Sequence, residues 1–204
     1  MKLGILGGTF DPPHLGHVAA ARWVRHNCAL DRVELTPAFV PPHKPDRPLS
    51  SPYHRYTMTV LGTLEEPGVA ASFRELARGG VSYAIDTLRE IRLDHPDFRI
   101  FFILGTDQFA EIGGWREPQA IVSEFELIVV GRPGAEFKDA AGRLPGYVAQ
   151  AIREGRVMPA PMDPVELSST AIRSKVRAGE PISGLVSPRV EQYIHTYGLY
   201  RPGG

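Results

Sequence analysis

Short apolar blocks alternate with amphipathic stretches along most of the chain. Leu3 to Leu6 is the first block and reads as a buried strand, and Val18, Ala21, Val24 and Cys28 follow at the spacing of one helix face. Arg32 to Pro37 predicts a second short strand. Tyr53 to Leu64 reads as a helix carrying His54, Arg55 and Met58, and Val69 to Phe73 as a strand. Ser82 to Leu93 is amphipathic, with Ala84, Leu88 and Ile91 on one side and Ser82 as candidate N-cap. Arg99 to Leu104 is apolar on both faces, as a central parallel strand would be, and Phe125 to Val130 is a second such run. Residues 135–155 are polar and alanine-rich and predict a loop with a surface helix; Arg156 to Pro159 is a last short strand. Leu167 to Arg173 opens a further helix, and Val190, Tyr193, Ile194 and Tyr197 form a helical stripe that stops at Gly198. This alternation predicts an α/β domain with a parallel sheet flanked by helices. No repeat or low-complexity linker divides it. Residues 1–204 read as one domain, with a helical part at about 168–200 packed on it.

In such folds ligands sit beyond the carboxyl ends of the strands. The turns at Gly7, Gly105 and Gly131 all lie there. The first runs Gly7-Gly8-Thr9-Phe10-Asp11-Pro12-Pro13-His14-Leu15-Gly16-His17. Its glycines let the backbone turn sharply and approach a ligand. The helix after it offers unpaired N–H groups and a partial positive charge, a seat for phosphate. His14 and His17, three apart, can face one ligand from the first helical turn. Each feature alone has an ordinary reading. Asp11-Pro12-Pro13 can simply stop a turn and start a helix, and the histidines can decorate a helix end or bind metal with Asp11. Ser168-Ser169-Thr170 by itself reads as helix capping. The segment Pro41-Pro42-His43-Lys44-Pro45 is a stiff exposed loop with a basic tip.

Composition narrows the field. Net charge is formally zero and the pI about 7.1, so no broad nucleic-acid or membrane surface is expected. Cys28 is the single cysteine, which excludes a disulfide framework and a thiolate metal cluster. No apolar run is long enough to span a bilayer and no signal peptide precedes the first strand, so a soluble cytoplasmic protein is expected. With 21 Gly and 19 Pro, the chain exceeds ordinary usage, and the excess predicts extended working loops.

Taken together, the first turn and the second hydroxyl-rich helix start resemble the signatures of the nucleotidyltransferase superfamily. Its H-x-G-H element is here His14-Leu15-Gly16-His17. Pro42-His43-Lys44, Asp86-Thr87, Gly105-Thr106-Asp107, Trp115, Arg132-Pro133-Gly134 and the closing Tyr197-Gly198-Leu199-Tyr200 extend the likeness from Leu3 to Tyr200. Over that span the chain resembles the bacterial nicotinate-nucleotide adenylyltransferases. The resemblance implies a single Rossmann-like domain of the nucleotidyltransferase fold. It implies adenylyl transfer from ATP to nicotinate mononucleotide in NAD biosynthesis, by direct in-line attack without a covalent intermediate. His14, His17 and Arg173 would then be catalytic. Gly8, Thr9, Phe10, Gly16, Ser168, Ser169 and Thr170 would bind the phosphates, and Gly105 and Asp107 the adenosine ribose. Lys44, Thr87, Trp115 and Arg116 would bind nicotinate mononucleotide, Trp115 by stacking and Thr87 and the Arg116 N–H at the carboxylate. Mg²⁺ would enter mainly on ATP phosphates, with no protein ligand. A homo-oligomer is left open.

Two departures from the commoner pattern stand at the pyridine pocket. Gly113-Gly114 precedes Trp115 where bulkier residues are usual, and Arg116 is bulky and positive. The rival readings are an adenylyltransferase for nicotinamide mononucleotide or phosphopantetheine, and a catalytically silent nucleotide-binding regulator on the same fold.

Overall fold

A computed structural model describes residues 1–42, 48–131, 137–162 and 166–201. Strand β1 (Lys2–Gly8) leads through the first turn into α1 (Leu15–Asn27), followed by β2 (Arg32–Pro37) and α2 (Pro52–Thr63). Next come β3 (Val69–Ala71), α3 (Arg74–Arg78), α4 (Ala84–Asp94) and β4 (Arg99–Gly105). The short α5 (Thr106–Ala110) and α6 (Pro118–Glu124) flank a 3₁₀ turn at Ile112–Gly114, before β5 (Glu126–Val130). The chain continues through α7 (Phe137–Ala141), α8 (Gly146–Arg153) and β6 (Val157–Ala160), then α9 (Ser169–Arg177) and α10 (Pro188–Thr196).

All six strands are parallel, in the order β3-β2-β1-β4-β5-β6. The direction of winding reverses between β1 and β4, and that reversal opens a crevice at their carboxyl ends. Gly8 and Gly105 close those two strands. The fold therefore puts two of the predicted turns side by side.

Period-two alternation explains why these runs became central strands. Ile5, Phe102 and Leu104 face one layer with Leu88, Ile91 and Phe109. Leu6, Leu35, Ile103 and Ile128 face the other, with Ala21 and Val24 of α1. Each such side chain stabilises the fold by about 1.5–3 kcal/mol on burial. A third cluster joins Met58 of α2 to Ile172, Val176, Ile182, Val190 and Ile194, so α9 and α10 sit against α2.

Several expectations change in detail. Ser82 is not the N-cap of α4: Tyr83 occupies that position without a side-chain cap, and the Ser82 hydroxyl instead accepts the Phe39 N–H at 2.8 Å. A long-range partner outcompetes the local cap. Strand β3 ends at Ala71, and α3 follows where no helix was expected. Residues 137–153 form two helices rather than one on the surface, and Ala140, Val148 and Ala151 are buried in the core.

Candidate active site

The turn after β1 is shaped by packing. Phe10 has φ 50°, a left-handed conformation uncommon for a bulky residue, and its ring is buried. Any Cβ on Gly8 would lie 2.8 Å from that ring, so only glycine fits beside it. The Asp11–Pro12 peptide is cis. His14 is the N-cap of α1 and is buried. Its backbone N–H donates to Nδ1 of His17 at 3.2 Å, and the two rings stack with centroids 3.6 Å apart. Because a backbone N–H can only donate, Nδ1 of His17 is the acceptor and the neutral ring carries its proton on Nε2. The Phe10 and His17 rings meet in a T-shaped contact, with centroids 4.9 Å apart.

Arg55 was given no role in the sequence reading, yet it is the largest fully buried side chain among the described residues. Its guanidinium donates to the carbonyls of Ser50 (3.0 Å), Thr9 (2.9 Å) and Phe39 (2.9 Å). It thereby ties the turn to the loops after β2 and before α2. Burial lowers its pKa, and Asp11 opposes that shift. Its three acceptors are neutral carbonyls, and among the described residues no direct ion pair cancels its charge near the phosphate turn. A sequence signal existed: Arg55 lies three positions before Met58 on the inward face of α2.

The start of α9 reaches the same turn. Ser168 caps the helix, accepting the Ala171 N–H at 3.1 Å. Ser169 donates to the Pro12 carbonyl at 2.8 Å, and Arg173 to the Asp11 carbonyl at 2.6 Å and Thr170 Oγ1 at 3.3 Å. The hydroxyl cluster expected only to hold phosphate thus also fastens the turn. Its helix N-terminus adds a second partial positive charge.

A cavity of about 640 Å³ is lined by Gly7, Gly8, Thr9, Phe10, His14, Gly16, His17, Gly105, Asp107, Ser168, Ser169, Thr170 and Arg173. Every residue expected at the catalytic centre and the phosphates is in that wall. The N-cap of α5 is Gly105, and Asp107 is exposed in its first turn.

A second cavity of about 580 Å³ lies across Gly7, Gly8, Thr9, Asp107 and Gln108, which line both. Trp115, Arg116 and Thr87 line it, with Tyr83 and Phe102. Trp115 meets Phe102 edge-on at 6.0 Å. The Arg116 guanidinium stacks over Tyr83 at 4.7 Å and pairs with Asp86 at 3.4 Å, so its charge is directed to these neighbours. Thr87 differs from expectation: its hydroxyl donates to Glu75 at 2.6 Å and accepts from Arg78 at 3.0 Å. A hydroxyl has one proton, and here it goes to Glu75. Glu75 is buried in the same wall, and burial raises its pKa. Neither Glu75 nor Arg78 was singled out from sequence. Lys44, and the turn Arg132-Pro133-Gly134, lie outside the described residues.

Two cavities meeting at a glycine-rich turn suit an enzyme that brings a nucleoside triphosphate to a second phosphate-bearing molecule. Residues 5–175 match the cytidylyltransferase-like family, the class in which this fold and site belong. A curated protein of Geobacter metallireducens is 41% identical over 212 residues, covering 98% of this chain and 98% of its own length. One of Thermus thermophilus is 38% identical over 201 residues, covering 98% and 100%. Both carry the name "Probable nicotinate-nucleotide adenylyltransferase". At that identity and coverage, the chain belongs to the nicotinate-nucleotide adenylyltransferase family. Among solved structures, Plasmodium falciparum nicotinic acid mononucleotide adenylyltransferase complexed with NaAD covers 98% of this chain and 97% of its own, with a TM-score of 0.79. Its identity is 18%, a likeness of fold.

Proposed function

We propose that the protein transfers the adenylyl group of ATP to nicotinate mononucleotide, forming nicotinate adenine dinucleotide and pyrophosphate in NAD biosynthesis. The observation that carries this reading is the wall shared by the two cavities, Gly7 to Thr9 with Asp107 and Gln108. ATP fills the first cavity and the mononucleotide the second, so the two phosphates meet at the glycine turn. The 5′-phosphate oxygen of the mononucleotide forms a bond to the α-phosphorus as the α–β bridging bond breaks and pyrophosphate departs. The nucleophile is already anionic, so no protein base is needed. The protein aligns two polyanions and offsets the charge that grows on the leaving group.

His14 and His17 donate near the reacting phosphorus, and Arg173 clamps the triphosphate with the α9 N-terminus. Gly105 and Asp107 meet the ribose. Trp115 stacks on the pyridine ring, and backbone N–H groups at Arg116 and the α4 start receive its carboxylate. Mg²⁺ enters on the ATP phosphates as part of the substrate, with no protein side chain assigned to it. No helix among the described residues is long and apolar enough to cross a membrane, in keeping with a cytoplasmic biosynthetic enzyme.

Acceptor choice follows from the donors in the second cavity. A nicotinamide group would put an NH₂ against N–H donors, leaving polar groups unpaired at about 1–3 kcal/mol each. The Glu75 carboxylate already accepts the Thr87 hydroxyl and stands 3.9 Å from the Arg78 guanidinium. Pyrophosphate release with each acceptor tests this. The expected preference in kcat/KM for nicotinate over nicotinamide mononucleotide is roughly 10²-fold or more. Equal efficiency would remove the assigned specificity, and turnover only with phosphopantetheine would remove the assigned acceptor.

A further inference from the structure

We propose that Tyr200 is a positioning residue for the phosphate-binding turn, acting through the side chain of Asp11; the inference rests on the reaction proposed above. The two residues are 189 positions apart, and the Tyr200 hydroxyl donates to Asp11 Oδ1 at 2.7 Å. Asp11 is only 1% exposed, so its carboxylate has given up hydration and depends on protein donors. The other donor to that carboxylate among the described residues is the Ser50 N–H, on Oδ2 at 3.3 Å. A phenol donating to a carboxylate makes the stronger, charge-assisted bond. Burial and the nearby Asp11 charge push the Tyr200 pKa upward, so the phenol keeps its proton.

The bond matters because of where Asp11 sits. It stands between Phe10, held left-handed and buried, and the cis-linked Pro12. Its own carbonyl accepts Arg173, and the next carbonyl accepts Ser169. A shift of the Asp11 backbone therefore carries with it the carbonyls that hold Arg173 and Ser169, and the anchored Asp11 side chain opposes that shift. Tyr200 is itself well placed to set that orientation. Gly198 (φ 61°) and Tyr200 (φ 67°) turn the chain back after α10, and the Leu199 N–H donates to the Ile194 carbonyl at 3.0 Å. Leu199 and Tyr200 then pack on the cluster of Met58, Ile182, Val190 and Ile194. The packed segment after α10 thus reaches the reacting turn through one hydroxyl.

The test compares Tyr200→Phe, Asp11→Asn and the double variant with the parent. Phenylalanine keeps the ring and its packing and removes only the donor. Tyr200→Phe should lose about tenfold in kcat, the equivalent of one charged hydrogen bond. KM for both substrates should change little, because many other groups hold them. The double variant should be no slower than Asp11→Asn, since Tyr200 acts through that carboxylate. Parental kcat in Tyr200→Phe, or losses that multiply in the double variant, would overturn the proposal. The ¹⁵N-resolved imidazole signals of His14 and His17 with ATP bound give a readout that needs no acceptor. They should shift in Tyr200→Phe, and unchanged signals would overturn the positioning role whichever acceptor proves to be the substrate.

Discussion

The first cavity takes its walls from backbone and helix ends, whereas the second takes them from side chains. Around the first, Arg55, Ser169, Arg173 and Tyr200 spend their hydrogen bonds on the turn itself, holding carbonyls and one carboxylate. What faces a ligand is the glycine turn, the two histidines, the outer side of the Arg173 guanidinium and two helix N-termini. Around the second, Trp115, Tyr83 and Phe102 provide flat apolar surface, and the buried Glu75–Thr87 pair, held from behind by the half-buried Arg78, closes the polar side. A polyanion with little shape of its own needs fixed dipoles, and those come from backbone held rigid. A pyridine ring needs area and one polar choice, which side chains supply.

The sharpest way to break this contrast is at the histidines. His17→Ala removes one preorganised donor and should cut kcat by on the order of 10²–10³. ATP affinity should move far less, because the turn and the α9 start remain. Steady-state kinetics with an ATP titration decide it, and turnover within a few-fold of the parent would take His17 out of the mechanism.

Trp115→Ala strikes only the second cavity. It should raise KM for nicotinate mononucleotide about tenfold, in the range of one lost base–aromatic stack, and leave KM for ATP unchanged. A matching rise in both constants would mean that the two cavities are not the separate sites described.

The smallest effect is one of stability at the back of the second cavity. Burial raises the folded-state pKa of Glu75 above its ordinary 4.5. Below 4.5 the carboxyl is protonated folded and unfolded alike, and its contribution is fully present. As pH rises from 4.5 through the folded pKa, the unfolded state loses its proton first and stability is lost. Glu75→Gln does not titrate, so its Tm relative to the parent should climb as pH rises through that window. A difference in Tm that stays constant with pH would show that the charge at Glu75 carries no such penalty.

Much of the fold could be read locally. The runs at Leu3–Leu6, Arg99–Leu104 and Phe125–Val130 became central strands because their residues are apolar on both faces, a property each run has alone. The helices of residues 137–153 were read as surface because alanine and polar residues dominate them, while their few buried positions depend on what lies beneath. Ser82 was misread as a cap for a related reason. Local chemistry fits it for that role, but the fold brings the Phe39 N–H within 2.8 Å.

By itself the sequence determined the strand-to-helix turn with His14 and His17, the second helix start at Ser168 to Arg173, and the alternation that makes a parallel sheet. Each depends on neighbours within one turn of chain: glycines that allow the bend, hydroxyls that cap, apolar spacing that repeats. Only the tertiary structure decided that Arg55 would clamp Thr9, that Glu75 would take the Thr87 proton, and that Tyr200 would hold Asp11 from 189 residues away. A buried polar group must find a partner, and chain topology rather than sequence distance sets which groups are within 3 Å of it.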